Sequence, residues 1–146
     1  MITDALLQVA SSQAVTASAV SEDSVDLGVA RDIGAGKTLY MVFTCEVAAT
    51  SAGAPNIEFE AIVASDAALT TGIKSVGTSG IFLKAAIVIG KQVVVAINPE
   101  LLGVGARYLG ARFNASVDLT AGTFTVDIVE SISDIKSYAS GFTVTG

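Results

Sequence analysis

Apolar and polar positions alternate with a period of two along most of the chain, the mark of strands with one face on a core. From Leu39 to Val47 one face carries Leu39, Met41, Phe43, Cys45 and Val47, and the other Tyr40, Val42, Thr44 and Glu46. From Ile57 to Val63, Ile57, Phe59, Ala61 and Val63 oppose Glu58, Glu60 and Ile62. From Arg107 to Val117 the inward set is Leu109, Ala111, Phe113, Ala115 and Val117, and from Thr123 to Glu130 it is Phe124, Val126 and Ile128. Weaker alternation predicts strands over 15–19, 25–29 and 81–89. The unbroken run Val93–Ile97 predicts a strand covered on both faces.

Turn formers separate these segments: Asp32-Ile33-Gly34-Ala35-Gly36, Thr50 to Asn56 with Gly53 and Pro55, Asn98-Pro99-Glu100, and Thr120-Ala121-Gly122 as a tight turn. Asp66-Ala67-Ala68-Leu69 allows one helical turn and Pro99–Leu102 another, so there is little helix. The count is about 7–9 strands, and the class is all-β: a sandwich, barrel or jelly roll. The length suits a single β domain over 1–146, with 1–13 and 131–146 as extended arms or as the frame of the domain.

Composition narrows the chemistry. The net charge is −6 and no run of Lys or Arg occurs; a nucleic-acid footprint needs a basic patch, and an anionic membrane surface attracts the same kind of patch. Neither nucleic acid nor membrane is an expected partner. Only 15% of residues are charged, low against about 25% in an average domain, so part of the apolar surface is expected to meet a partner. The chain contains no His, which removes the commonest acid–base catalyst and transition-metal ligand together. With one cysteine, Cys45, on an inward face, the usual zinc sites have no ligands; the thiol is expected to be buried and inert.

The remaining motifs are weak. Gly34-Ala35-Gly36-Lys37-Thr38 lacks the first glycine of a phosphate loop, Arg31 standing there, and leads into a strand. Gly103-Val104-Gly105 with Gly110 has the wrong spacing for a dinucleotide fingerprint. Glu58 and Glu60 lie roughly 7 Å apart on one face, a separation that suits an inverting glycosidase, but with no Trp beside them a solvated or partner-facing strand is expected. Glu22, Asp23 and Asp26 form an acidic patch suited to loose contact with a basic partner. No enzyme activity, metal or cofactor is expected.

Several stretches carry a family resemblance: Met1-Ile2-Thr3-Asp4-Ala5-Leu6-Leu7, Val25 to Gly34, Leu39-Tyr40-Met41-Val42-Phe43, and Tyr138-Ala139-Ser140-Gly141-Phe142-Thr143-Val144. Together they resemble the capsid cement (decoration) protein family typified by a short-tailed phage of Bordetella. The resemblance implies a jelly roll and a homo-oligomer, a dimer rather than a trimer. It also implies a place on the outside of an icosahedral head, made in the bacterial host's cytoplasm, where each copy clamps neighbouring major capsid subunits without covalent links. The apolar residues outside the clear strands, Ile2, Leu6, Leu7 and Val9 at one end and Ile135, Tyr138, Phe142 and Val144 at the other, are the expected intersubunit contacts. The competing readings are another virion part, such as a tail or head–tail joining subunit, and a carbohydrate-binding jelly roll.

Overall fold

Alternation becomes two antiparallel sheets. In the computed structural model, which describes residues 4–28, 38–98, 106–130 and 132, the strands are β1 (Gln8–Ala14), β2 (Ala19–Val20), β3 (Val25–Asp26), β4 (Leu39–Thr50), β5 (Asn56–Ala64), β6 (Lys74–Leu83), β7 (Gln92–Ile97), β8 (Tyr108–Ala115) and β9 (Ala121–Val129). One sheet has the order β1-β9-β4-β7 and the other β2-β8-β5-β6, with β3 continuing along β8 after β2. Counting β2 and β3 as one interrupted strand, the pairs β1·β9, β2/β3·β8, β4·β7 and β5·β6 are nested. That is a long hairpin, turning between β5 and β6, rolled into two layers: a jelly roll.

The inward faces meet in a core built on Phe43, Phe59, Phe113 and Phe124, all fully buried. Phe43 and Phe124 come from the first sheet, Phe59 and Phe113 from the second. Ring centroids lie 5.1 Å apart for Phe43–Phe59 and 5.4 Å for Phe113–Phe124, the tilted packing aromatic pairs prefer. A smaller core lies on the opposite face of the second sheet. There the β5–β6 loop folds back and sets Leu69 with Ile62 and Ala64. Asp66 organises that loop, its carboxylate accepting from the Thr70 and Thr71 amides at 2.9 and 2.7 Å. Gly110 lies directly beneath Leu69, where a Cβ would come within 2.3 Å of its Cδ1.

Some expectations need correction. The segment 1–13 is no arm from Gln8 onward: β1 pairs with β9, and Val9, an expected contact residue, is fully buried in the core. The strand expected at 81–89 is instead β6, which ends at Leu83. Val93–Ile97 is an edge strand whose faces alternate, with Val93, Val95 and Ile97 buried and Val94 and Ala96 exposed. Residues 121 and 122 already belong to β9. Val47 and Val117, read as inward, are exposed; Val47 follows a register shift after Cys45 that turns the strand. Asp66 to Leu69 forms a turn closed by the Leu69 amide on the Asp66 carbonyl, with Leu69 at positive φ, and not the expected helical turn.

The two sheets are stitched together at the β6–β7 corner. The Asn98 amide donates to the Val76 carbonyl at 2.8 Å, and a Cβ on Gly77 would sit 2.2 Å from the Ala96 carbonyl oxygen. Gly77→Ala should therefore push β6 off β7 and cost about 1–3 kcal/mol in urea unfolding, while Gly53→Ala, where the nearest atom is 3.5 Å away, should stay within about 0.5 kcal/mol. Equal effects would show that the close approach is not what Gly77 is for.

Candidate functional site

Several charged groups on the outer faces are held by ion pairs or by hydroxyl groups of neighbouring strands. Glu60 is buried; burial pushes its carboxyl up, but hydrogen bonds from Arg112 Nε and Asn114 Nδ2 outweigh that and hold it below the usual range. The expected solvated strand face is therefore wrong for Glu60, and a carboxyl held ionised is a poor proton donor for the acid step of glycoside hydrolysis. Glu58 accepts a hydrogen bond from the Thr78 hydroxyl. Asp26 receives both Arg107 Nε and Nη2 at 2.7 Å, so one corner of the expected acidic patch is already neutralised within the chain. Glu46 accepts from the Ser12 and Thr125 hydroxyls, which hold its carboxyl down.

Two buried groups behave oppositely to these. Asp127 lies on the outer face of the first sheet with 5% exposure. Burial raises its pKa, only partly countered by the Gln8 amide 3.1 Å away. Cys45 is buried, and burial pushes its thiol up, which keeps it a poor nucleophile. Among the described residues no group of three or more His, Cys, Asp or Glu is placed to hold a metal ion, and every buried side-chain polar atom has a partner.

What stands out on the surface is apolar. Leu6 is 85% exposed, in the short 3-10 turn (Ala5–Leu7) before β1, and Leu7 is also exposed. They lie beside the end of β9, where Ile132 is exposed too. At the opposite end of the sandwich, Ile81 and Leu83 are 70% and 66% exposed, followed by Val88 and Ile89. Ile81 and Leu83 flank Phe82, which turns inward onto the core under Lys91, so the two point together off the outer face of β6. Shallow hollows lie on either side. One, of about 240 Å3, is lined by Glu58, Ile81 and Asn114 among others; the other, of about 180 Å3, by Pro55, Leu83 and Ala85 with their neighbours.

Sequence reasoning found Leu6 and Leu7 and missed Ile81 and Leu83 as surface groups. Their alternation was visible, but which side of β6 met the core was not. Ile2, Ile135, Tyr138, Phe142 and Val144 lie outside the described residues, as do Gly34 to Lys37 and Gly103 to Gly105.

A family model described as Bbp16 matches residues 9–128, nearly the whole span of the two sheets. Comparison with curated proteins finds no match.

Two titrations follow from these environments. Asp26, held at about 2 by Arg107 and by the Gly28 amide, contributes stability that is present above its ordinary value of 3.8 and is lost as pH falls through about 2. In Arg107→Gln its carboxyl should titrate back toward the usual range by NMR; an unmoved titration would remove the ion pair from the account. Asp127 has the opposite sign. Its pKa is raised in the fold, so the charged form is penalised as pH rises past the ordinary carboxylate range. Asp127→Asn should raise the urea midpoint at pH 7 and converge with the parent at acid pH, and a lower midpoint at pH 7 would contradict this.

Proposed function

The chain belongs to the Bbp16 family, and from that premise we propose that it is a structural virion protein: a capsid cement protein that binds the outside of an icosahedral phage head and clamps neighbouring major capsid subunits non-covalently. The observation that carries the reading is the placement of exposed apolar side chains at both ends of one jelly roll, Leu6, Leu7 and Ile132 at one and Ile81, Leu83 and Ile89 at the other. A clamp needs two separate contacts on a body that does not deform between them. A doubly layered β core supplies the body, and two apolar ends supply the contacts. Once one end is docked the second contact becomes intramolecular, so modest interfaces repeated over a shell add up to strong retention.

Charge supports the same role. A net charge of −6 favours a basic outer shell surface and repels DNA. Two ion pairs, Asp26–Arg107 and Glu60–Arg112, are satisfied within the chain, while the apolar ends are free to meet a partner. In this reading the protein acts as a homo-oligomer, without cofactor or catalysis, on the capsid exterior.

Purified protein mixed with phage heads stripped of it should co-sediment saturably, at a fixed ratio to the shell protein. Leu6→Glu should weaken that binding by at least about tenfold while leaving the β-sheet circular dichroism unchanged, since Leu6 is not part of the core. A folded protein that fails to bind stripped heads at any concentration would overturn the proposal.

A further inference from the structure

Part of the outer face of the first sheet is apolar and buried, although none of the described elements is laid over it. Its rows follow from the register. Gln8, Asp127, Val42 and Val94 stand side by side across β1, β9, β4 and β7, and Val129, Tyr40 and Ala96 form the next row. Met41, Phe43, Val126 and Ile128 face the core, so the positions between them face away from it. A solvated face of an antiparallel sheet is normally polar, as Thr125, Thr44 and Gln92 are in the row beyond. Yet Val42 is fully buried, and Asp127 and Val129 nearly so. Neither valine belongs to the main core or to the smaller one under Leu69. The two 3-10 turns do not cover these rows. Ala5–Leu7 lies beside β9 with Leu6 and Leu7 themselves exposed, and Lys84–Ala86 lies toward the Thr50 end.

The chain leaves β9 at this apolar end. Val129 is the last residue of β9, and the residues from Ser133 onward lie outside the described ones. They bring Ile135, Tyr138, Phe142 and Val144, with no charge from Ser137 to Gly146. A segment without charge can lie over the buried Asp127 carboxyl without burying a second ion. We infer that residues 135–144 of the same chain lie across the outer face of the first sheet, with Ile135, Tyr138 and Phe142 covering Tyr40, Val42 and Val94.

Reach and tethering select the chain's own segment. From Val129 to the row of Val42 and Val94 is roughly 7 Å along the strands and about 10 Å across them. Residues 130–138 span up to about 30 Å, so Tyr138 arrives with slack. A segment tethered this close acts at an effective concentration on the order of millimolar. That is far above the concentration of any second copy in dilute solution, so a neighbour's identical segment is outcompeted. Ile135, Tyr138, Phe142 and Val144, expected from the sequence to meet other subunits, are thereby turned onto their own sheet.

The inference does not rest on the capsid role and is tested on the isolated full chain, so either can fail alone. Valine-methyl NMR with a soluble gadolinium chelate reads how close each methyl comes to solvent. Val126, in the core, and Val117, on the surface, calibrate the scale. In the parent, Val42 should be as protected as Val126. In Tyr138→Asp with Phe142→Asp, which alters no strand, Val42 should broaden toward the level of Val117 while Val126 stays protected. A nitroxide placed through Ser140→Cys, with Cys45 buried, should broaden Val42 of its own chain. In a co-refolded mixture of nitroxide-bearing chains without methyl label and methyl-labelled chains without nitroxide, Val42 should stay sharp. Val42 that is exposed in the parent, or still protected in the double variant, overturns the cover. Broadening in the mixture assigns the segment to a second copy and overturns the same-chain assignment.

Discussion

The structure depends on four phenylalanine rings closing the space between two sheets. Phe43, Phe59, Phe113 and Phe124 interlock across the layers, and each is fixed to its strand's inward face. A slip of one residue in any of these strands would carry its ring to the solvent side. The rings therefore set register, and register sets everything on the outside. Glu60 meets Arg112 and Asn114 because Phe59 and Phe113 are paired one step away. Ile81 and Leu83 are exposed because Phe82 between them packs on the core.

Much of this was legible in the chain, and the failures have physical reasons. β4, β5, β8 and β9 follow the alternation closely because they are central strands carrying the rings. β1 was hidden: Gln8 to Ala14 has small and polar residues, and its register shifts interrupt the period. β6 was displaced toward its apolar end because its first half is Ser- and Gly-rich, the composition required where Gly77 touches β7. Val93 to Ile97 is more apolar than an edge strand needs. Asp26–Arg107 and Glu60–Arg112 join positions 81 and 52 residues apart, a proximity that only the topology creates. Of the expected contact residues, Leu6 and Leu7 are on the surface, Val9 is core, and the rest lie outside the described residues.

Polar and apolar groups take different parts in the molecule. Polar groups are spent internally, on loops such as that held by Asp66 and on cross-strand ladders such as Ser12–Glu46–Thr125. Among the large exposed apolar groups of the described residues, Leu6, Leu7 and Ile132 lie toward one end of a stiff body and Ile81, Leu83 and Ile89 toward the other. Such a body transmits load between its contacts because its interior is close-packed and deforms little. The nested-hairpin topology makes the chain a jelly roll, a fold that by itself does not decide function; the proposed role rests on what its exposed ends touch.

The central claim is that this protein bridges shell subunits from outside the head. Electron cryomicroscopy of heads lacking the protein, before and after saturation with it, tests that directly. The account predicts difference density the size of the jelly roll at regular sites on the outer surface, with the two apolar ends of each sandwich on different shell subunits. Density confined to the tail or to a single vertex, or a jelly roll resting on one subunit alone, would contradict it.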